Sequence, residues 1–277
     1  MSDALIFGCG YLGRRIAARW LADGRKVLAT TRGRAQELRS LGIDPIVADV
    51  LNPASLASLP AVSTVVYCVG MDRAVGATMR DVYVQGLANV LAALPRPARL
   101  IYVSSTSVYG QSQGEEVDET SFTGPQDESG KIVLEAEHVL FSAVPEAIVL
   151  RFSGIYGPGR LLRREHAIRS GEPIVADLDG WLNLIHVDDG VSAVLAAEQG
   201  ARAGAVYNVS DGAPMRRRDF YTQLTRALGA PAPALTQEPP GIMRTNRRVV
   251  NRKMLAELGV TLKYRSPIEG LAACVSR

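Results

Sequence analysis

Apolar residues in the first half of the chain fall in short unbroken runs: Ala4–Phe7, Val27–Thr31, Pro45–Ala48, Thr64–Val69, Leu100–Ser104 and Ala147–Phe152. A strand with one wet face alternates apolar and polar positions, whereas a strand covered on both faces reads as a continuous apolar run. Between these runs, Tyr11–Asp23, Ala35–Leu41, Thr78–Leu94 and Gly130–Ser142 space their apolar residues as helices do. Strand and helix in regular alternation predict an α/β protein, a doubly wound parallel sheet with helices on both faces and right-handed crossovers. Gly24 stands where a helix-ending glycine belongs, and Pro95 and Pro97 stop the third helix before Leu100.

After Phe152 the rhythm loosens. Loop material at Gly154–Arg160 leads to a basic helical stretch, Leu161–Ser170, and then to a strand candidate, Trp181–Val187. A helix at Asp189–Gln199, a strand at Ala205–Val209 and a helix at Arg218–Leu228 follow. The Pro- and Ala-rich linker Gly229–Gly241 precedes a last helical pair. Two regions are expected: 1–152, and 153–277 as a smaller region partly interwoven with the sheet of the first.

The junction of the first strand and first helix carries the most specific chemistry. Its glycines are Gly8, Gly10 and Gly13, in the order G-x-G-x-x-G, with Tyr11 and Leu12 between the last two. A pyrophosphate needs a tight turn, a backbone bare of side chains at closest approach, and N–H groups at a helix start. Gly8 suits the turn, Gly10 the approach, and Gly13 close packing of helix on strand. The motif follows a strand pattern and opens a helix pattern, which makes it far more specific than the glycines alone. Region 1–152 is therefore expected to be a Rossmann-like dinucleotide-binding domain, with substrate handled by the rest.

The second strand ends in Thr31-Arg32-Gly33-Arg34, with no carboxylate before Glu37. An acid near this point would hold the 2′-hydroxyl of NAD. Arg32 and Arg34 instead offer forked, charge-assisted donors to a 2′-phosphate, which favours NADP, with NAD the alternative. Solvated helix-start arginines would look the same in sequence. Asp49, after the third strand, suits either an adenine amino group or a helix-capping role.

Ligands in open α/β sheets bind beyond the carboxyl ends of the strands. There the fifth strand runs into Ser104-Ser105-Thr106-Ser107-Val108-Tyr109-Gly110. Such hydroxyls can hydrogen-bond a carbinol or carbonyl oxygen, or simply satisfy loose backbone groups.

The run SSTSVYG resembles the extended short-chain dehydrogenase/reductases, the NAD-dependent epimerase/dehydratase family. The N-terminal glycines, Asp49, RFSGIYGPG (Arg151–Gly159), NLIHVDD (Asn183–Asp189), YNVSDG (Tyr207–Gly212) and the C-terminal LGVTLKY-x-x-x-x-EGL carry the same likeness over nearly the whole chain. The resemblance implies an oxidoreductase or isomerase acting on a sugar-like or other carbonyl/hydroxyl substrate. It also implies a homodimer through helices 78–94 and 130–142. Ser105 falls at the family's catalytic Ser/Thr; Thr106 and Tyr109 are substrate-binding candidates, although the family's tyrosine at Tyr109 is a packing or substrate-side residue. Phe7 replaces the family's usual first glycine.

The larger departure is at the family's Tyr-x-x-x-Lys. Aligned on LEAE, Ser129 takes the Tyr position and Val133 the Lys position. Sliding the register by two makes Lys131 the lysine and puts Asp127 at the tyrosine. A tyrosine of pKa ~10 is brought toward neutrality by a nearby cation, whereas serine is a far poorer proton carrier without its own base. An atypical member with altered chemistry is expected, with Ser105, Ser129 and Lys131 as catalytic candidates. The alternative is a non-catalytic NADPH-binding sensor. His186 and Tyr156 suit structural roles, and Asp188–Asp189 suit a helix cap. Arg160, Arg163 and Arg164 can grip an anionic substrate such as a nucleotide sugar, or form a solvated basic helix.

Composition narrows the classes further. The net charge of +3 over 277 residues, with short scattered arginine clusters, argues against nucleic acid as a partner. No apolar run approaches the ~18 residues of a membrane span. The three cysteines, Cys9, Cys68 and Cys274, have no metal-ligand spacing and fit a reducing, cytoplasmic setting.

Overall fold

The computed structural model describes residues 3–71, 76–161, 165–238 and 245–275. Seven strands form the central sheet: β1 (Ala4–Phe7), β2 (Val27–Thr31), β3 (Asp44–Val47), β4 (Thr64–Tyr67), β5 (Arg99–Ser105), β6 (Ile148–Phe152) and β7 (Val206–Val209). Their order is β7-β6-β5-β4-β1-β2-β3. The pairings β1/β2, β1/β4, β2/β3 and β4/β5 are parallel, with Ala4 opposite both Val27 and Thr64. The order reverses direction at β1, which puts a switch point beside the glycine turn.

Helices α1 (Tyr11–Ala22), α2 (Ala35–Ser40), α3 (Gly86–Ala93) and α4 (Glu128–Ala143) accompany the first five strands. Alternate strand residues explain why both faces are covered. Leu5, Phe7, Val65, Tyr67, Leu100 and Tyr102 pack with Leu87, Ile132, Ala136 and Leu140 in one cluster. Ile6 points the other way, toward α1, and Ile16, Ala17 and Trp20 are the buried side of that helix. Thr78 and Asp81 trade side-chain-to-amide bonds in a reciprocal capping box that opens the helix before α3. The expected single helix over 78–94 is wound as a π turn at Asp81–Gln85, where the Gly86 N–H bonds the Asp81 carbonyl. A Cβ on Gly86 would lie 2.7 Å from Val50 Cγ2, so this glycine lets the helix sit against the loop after β3. Asp127, not Gly130, opens α4, and its carboxylate accepts the Gly130 N–H at 2.8 Å.

The chain divides into two compact units: Met1–Val108, Asp127–Arg151 and Val194–Val206 form the first, and Tyr109–Gln126, Phe152–Ala193 and Tyr207–Arg277 the second. A single cut after residue 152 therefore divides the chain differently. Segment 109–126 belongs with the later residues, and 194–206 returns to the first unit. The second unit has its own apolar cluster, including Tyr156, Leu161, Ile168, Leu184, Phe220, Leu224 and Leu271. Its strands are short pairs: Gly154–Tyr156 with Leu184–His186, Glu115–Val117 with Arg247–Val249, and Ile174–Ala176 with Leu235–Gln237, all parallel. Trp181–Leu182 pairs antiparallel with Met215–Arg216, so the expected strand 181–187 is two strands with different partners. The linker 229–241 is likewise not structureless, because it carries the strand 235–237.

Candidate active site

The glycine turn sits at the carboxyl end of β1. Gly8 has φ +86°, and a Cβ there would lie 2.4 Å from the Cys68 carbonyl oxygen, so both conformation and space demand glycine. A Cβ on Gly13 would meet the Gly8 oxygen at 2.8 Å, Ile6 Cγ2 at 3.2 Å and Cys68 Sγ at 3.3 Å. That is the close helix–strand packing expected of the third glycine. Gly10 differs, because its Cβ would meet nothing nearer than the Gly8 oxygen at 3.9 Å. Packing does not explain Gly10, and the space beside it is open. Gly10 caps α1 without a side-chain bond, and the first turn carries no acidic residue. Tyr11 and Leu12 begin that turn, with the Arg15 guanidinium stacked 4.0 Å from the Tyr11 ring centre. A helix start of this kind favours an anion through its N–H groups and dipole. The residues present fit a dinucleotide diphosphate.

Around this turn the charges are positive. Arg32 and Arg34 are exposed at the end of β2, and the Arg34 N–H bonds Thr31 Oγ1 at 2.9 Å. Glu37, the first carboxylate after the strand, is paired with Arg14 at 2.6 Å. Asp49 uses Oδ1 to accept the Leu51 N–H at 3.0 Å, closing a turn, while Asn52 caps the short helix that follows. Cys9 and Cys68 are free thiols. Burial pushes the Cys9 thiol up to about 11 despite the nearby Arg14 and Arg34, and raises Cys68 further. Burial therefore disfavours the thiolate at both positions.

At the end of β5, Ser105 is half-buried, and its Oγ accepts the Ser107 N–H at 3.1 Å. That bond uses the Ser105 oxygen as an acceptor and leaves its O–H a donor. Thr106 is 6% exposed within a tight helical turn over 106–108. Ser104 points into the unit and donates to Glu137 Oε1 at 2.5 Å. Glu137 also takes a forked bond from Arg151, Nε to Oε1 at 3.0 Å and the terminal nitrogen to Oε2 at 2.7 Å. Both partners of this pair are buried, Glu137 on α4 and Arg151 on β6. The charges sit at core-facing positions in the apolar runs LEAEHVL and IVLRF, a sequence pattern that signals a buried pair.

Ser129 and Lys131 lie exposed on the first turn of α4. The Ser129 hydroxyl meets Met79 Sδ at 3.5 Å, not a base, and Val133 is buried. Two expectations in the second unit, those for Tyr109 and Asp189, need correction. Tyr109 is fully buried and donates to Asn208 Oδ1 at 2.9 Å, which makes it a packing residue instead of a substrate contact. Arg160 is exposed and closes a tight turn with Gly157, its N–H bonding the Gly157 carbonyl at 2.9 Å. Arg163 and Arg164 lie outside the described residues. Asp189 does not cap its helix but accepts the Lys263 and Tyr264 N–H groups at 2.7 and 3.0 Å. His186 is 1% exposed, and its Nδ1 accepts the Asp188 N–H at 3.2 Å.

A seven-stranded sheet with its order reversing at β1, and an uncapped glycine-lined helix start at that point, define a dinucleotide-binding α/β protein. The family model for the NAD dependent epimerase/dehydratase family matches residues 4–210. The chain belongs to that family. Protein YeeZ of Escherichia coli K12 is 29% identical, covering 97% of this chain and 98% of its own length. The dTDP-6-deoxy-L-talose 4-dehydrogenase (NAD(P)(+)) of Kitasatospora kifunensis is 26% identical over 85% of this chain and 81% of its own. Among solved structures, a candidate NAD-dependent epimerase/dehydratase from Methylobacillus flagellatus is 34% identical, with a TM-score of 0.80 over 99% of this chain and 98% of that one. No helix among the described residues is long and apolar enough to cross a membrane.

Proposed function

We propose that this protein is an NAD(P)-dependent oxidoreductase or epimerase acting on a carbonyl or hydroxyl substrate of the nucleotide-sugar class. The observation that carries the reading is Gly10. It is bare where packing would tolerate a methyl group, at a helix start with no side-chain cap. Gly8, Gly10 and the first turn of α1 would hold the diphosphate, and Asp49 is assigned to the adenine amino group. The cofactor supplies hydride chemistry when bound. Arg32 and Arg34, with Glu37 already engaged by Arg14, favour NADP over NAD through charge on a 2′-phosphate. Ser105 offers its hydroxyl proton to the substrate oxygen, and Arg160 is assigned to the anionic part of the substrate. The dehydrogenase relative named above, whose substrate is a deoxysugar nucleotide, supports the substrate class.

Catalysis in this reading is atypical. In the register aligned on LEAE, the family lysine falls on Val133, which is buried, and the tyrosine on Ser129, whose hydroxyl meets Met79 and not a base; the register shifted by two sets Lys131 and Asp127 there instead. The same observation favours a second reading, a non-catalytic sensor that binds NADPH and changes conformation. Titration with NADPH and NADH, followed by a screen of nucleotide sugars and small carbonyls that watches reduced-cofactor absorbance, separates the two. Turnover lost in Ser105→Ala supports the enzyme; binding without turnover on any substrate supports the sensor. Failure of both dinucleotides to bind overturns both. Self-association through helices 78–94 and 130–142 and a cytoplasmic setting belong to the same proposal, and light scattering tests the first of these.

A further inference from the structure

The chain leaving β4 touches the glycine turn directly. A Cβ on Gly8 would strike the backbone of Cys68 and Val69 at 2.4 to 2.5 Å, and the Cys68 thiol donates to the Gly8 carbonyl at 3.3 Å. Gly70 comes next. It is exposed, its φ is not positive, and a Cβ there would meet nothing within 4 Å. Met71 follows, and its N–H donates to the Tyr83 hydroxyl oxygen at 3.2 Å. Met71 lies beyond the last residue of β4, so the phenol, not the strand ladder, takes this amide.

Tyr83 stands inside the π turn Asp81–Gln85. A π turn carries one residue more than an α turn and recurs at functional sites. Val82 and Val84 on either side of Tyr83 are buried. The Tyr83 ring packs, half-buried, against the cluster that contains Phe7, Tyr67, Leu87 and Tyr102. A ring gripped in this way fixes the place of its hydroxyl, and the hydroxyl fixes Met71.

Strand order decides which part of a dinucleotide would meet this loop. β2, with Arg32 and Arg34 at its end, lies on one side of β1, and β4 lies on the other. With the diphosphate at the glycine turn and the adenosine toward the arginines, the nicotinamide riboside extends toward β4 and β5. Tyr67 of β4 pairs with Tyr102 of β5, so Gly70 and Ser105 each stand three residues beyond one paired position. The loop and the candidate hydroxyl therefore share one end of the sheet.

We propose that Tyr83 is a positioning residue for the nicotinamide half of the cofactor: its hydroxyl pins Met71 and so holds the exposed Gly70 backbone beside the nicotinamide riboside. This inference rests on the dinucleotide reading given above. The ring belongs to the core, and the oxygen alone does the positioning.

Tyr83→Phe keeps the ring and removes the acceptor. Calorimetry on the full-length protein compares NADPH with ADP bearing a 2′-phosphate, and NADH with ADP; within each pair only the first carries the nicotinamide riboside. The variant is expected to bind the tighter dinucleotide at least about tenfold more weakly, the scale of one lost hydrogen bond. The matching ADP compound is expected to stay within about twofold of wild type. Hydrogen exchange supplies a second readout: the Met71 amide should exchange slowly in wild type and near the free-peptide rate in Tyr83→Phe. Equal losses for dinucleotide and ADP compound would leave Tyr83 a merely structural role, and no loss for either would detach it from the cofactor; each result overturns the proposal. So does a Met71 exchange rate that is the same in both proteins. A wild-type protein that binds none of the four ligands overturns the dinucleotide reading itself, and that result is read before any variant is made.

Discussion

Gly8 and Gly10 stand two residues apart in one turn, yet alanine should act on them in different ways. At Gly8 the new Cβ would lie 2.4 Å from the Cys68 oxygen and 2.5 Å from the Cys68 carbonyl carbon and the Val69 nitrogen, all backbone atoms that cannot swing aside. The φ of +86° adds strain of ~1–2 kcal/mol for any L side chain. Overpacking contributes a further ~1–3 kcal/mol. Gly8→Ala should thus lose about 3 kcal/mol or more, a large part of the ~5–15 kcal/mol of a whole domain. At Gly10 the φ is −97° and the nearest atom is 3.9 Å away, so Gly10→Ala should stay within ~1 kcal/mol of wild type. Its methyl group would instead occupy the path of a diphosphate and weaken NADPH binding at least ~10-fold, or ~1.4 kcal/mol. Urea unfolding followed by tryptophan fluorescence gives the first quantity and calorimetry the second. A Gly10→Ala protein that folds and binds NADPH as wild type does would refute the ligand-approach reasoning.

Arg32→Ala together with Arg34→Ala should weaken NADPH at least ~10-fold and leave NADH nearly unchanged; equal loss for both nucleotides in a fluorescence titration would remove the 2′-phosphate role. Ser105→Ala should lower turnover on any substrate found by ~100-fold without changing NADPH affinity, and undiminished kcat would dismiss Ser105 as a donor. Glu137→Gln leaves the Arg151 guanidinium buried beside a neutral amide, which should cost ~3–5 kcal/mol in urea unfolding. The joint replacement Glu137→Leu with Arg151→Met should recover most of that loss, and a single mutant as weak as the double would argue against the pair.

The sheet was legible because unbroken apolar runs have one inexpensive solution. Ala4–Phe7 and Val27–Thr31 begin and end in the structure where the pattern places them. The glycine turn was legible for a related reason, since three positions each answer a separate steric demand. The helix Arg217–Leu228 of the second unit was legible to within one residue, but its short strands were not, because two or three residues are too few to show a period. Glu115–Val117 and Arg247–Val249 illustrate the cost of reading segments singly. The sequences EEV and RRV look like solvated loops, yet they pair in register, with Glu116 3.3 Å from the Arg248 guanidinium. Opposite charge runs 132 residues apart, Arg247 facing Glu115, carry that signal only when read together. Tyr109 was misplaced by its neighbours: it follows an exposed-looking hydroxyl cluster, but its partner Asn208 lies in a distant buried strand.

In the register that sets Val133 at the family's lysine, packing along α4 constrains the site as much as the two side chains do. Along α4, Ile132, Val133, Ala136 and Leu140 are all buried, and Glu137 among them is neutralised by Arg151. A lysine at 133 would place an ammonium on this buried side beside a carboxylate whose oxygens already serve Arg151 and Ser104. Desolvating that ammonium without a free counter-charge is unfavourable, so Val133→Lys should destabilise the helix before it restores any chemistry. Lys131, two residues earlier, projects from the exposed side and escapes this constraint. Its charge is therefore open to evolutionary use at no packing cost, whereas position 133 is committed to the core. Introducing Tyr at 129 and Lys at 133 together should consequently yield a less stable protein with no gain in turnover. Recovery of activity in that double variant would show that α4 can shift to admit the ammonium, and would return this chain to the ordinary chemistry of its family.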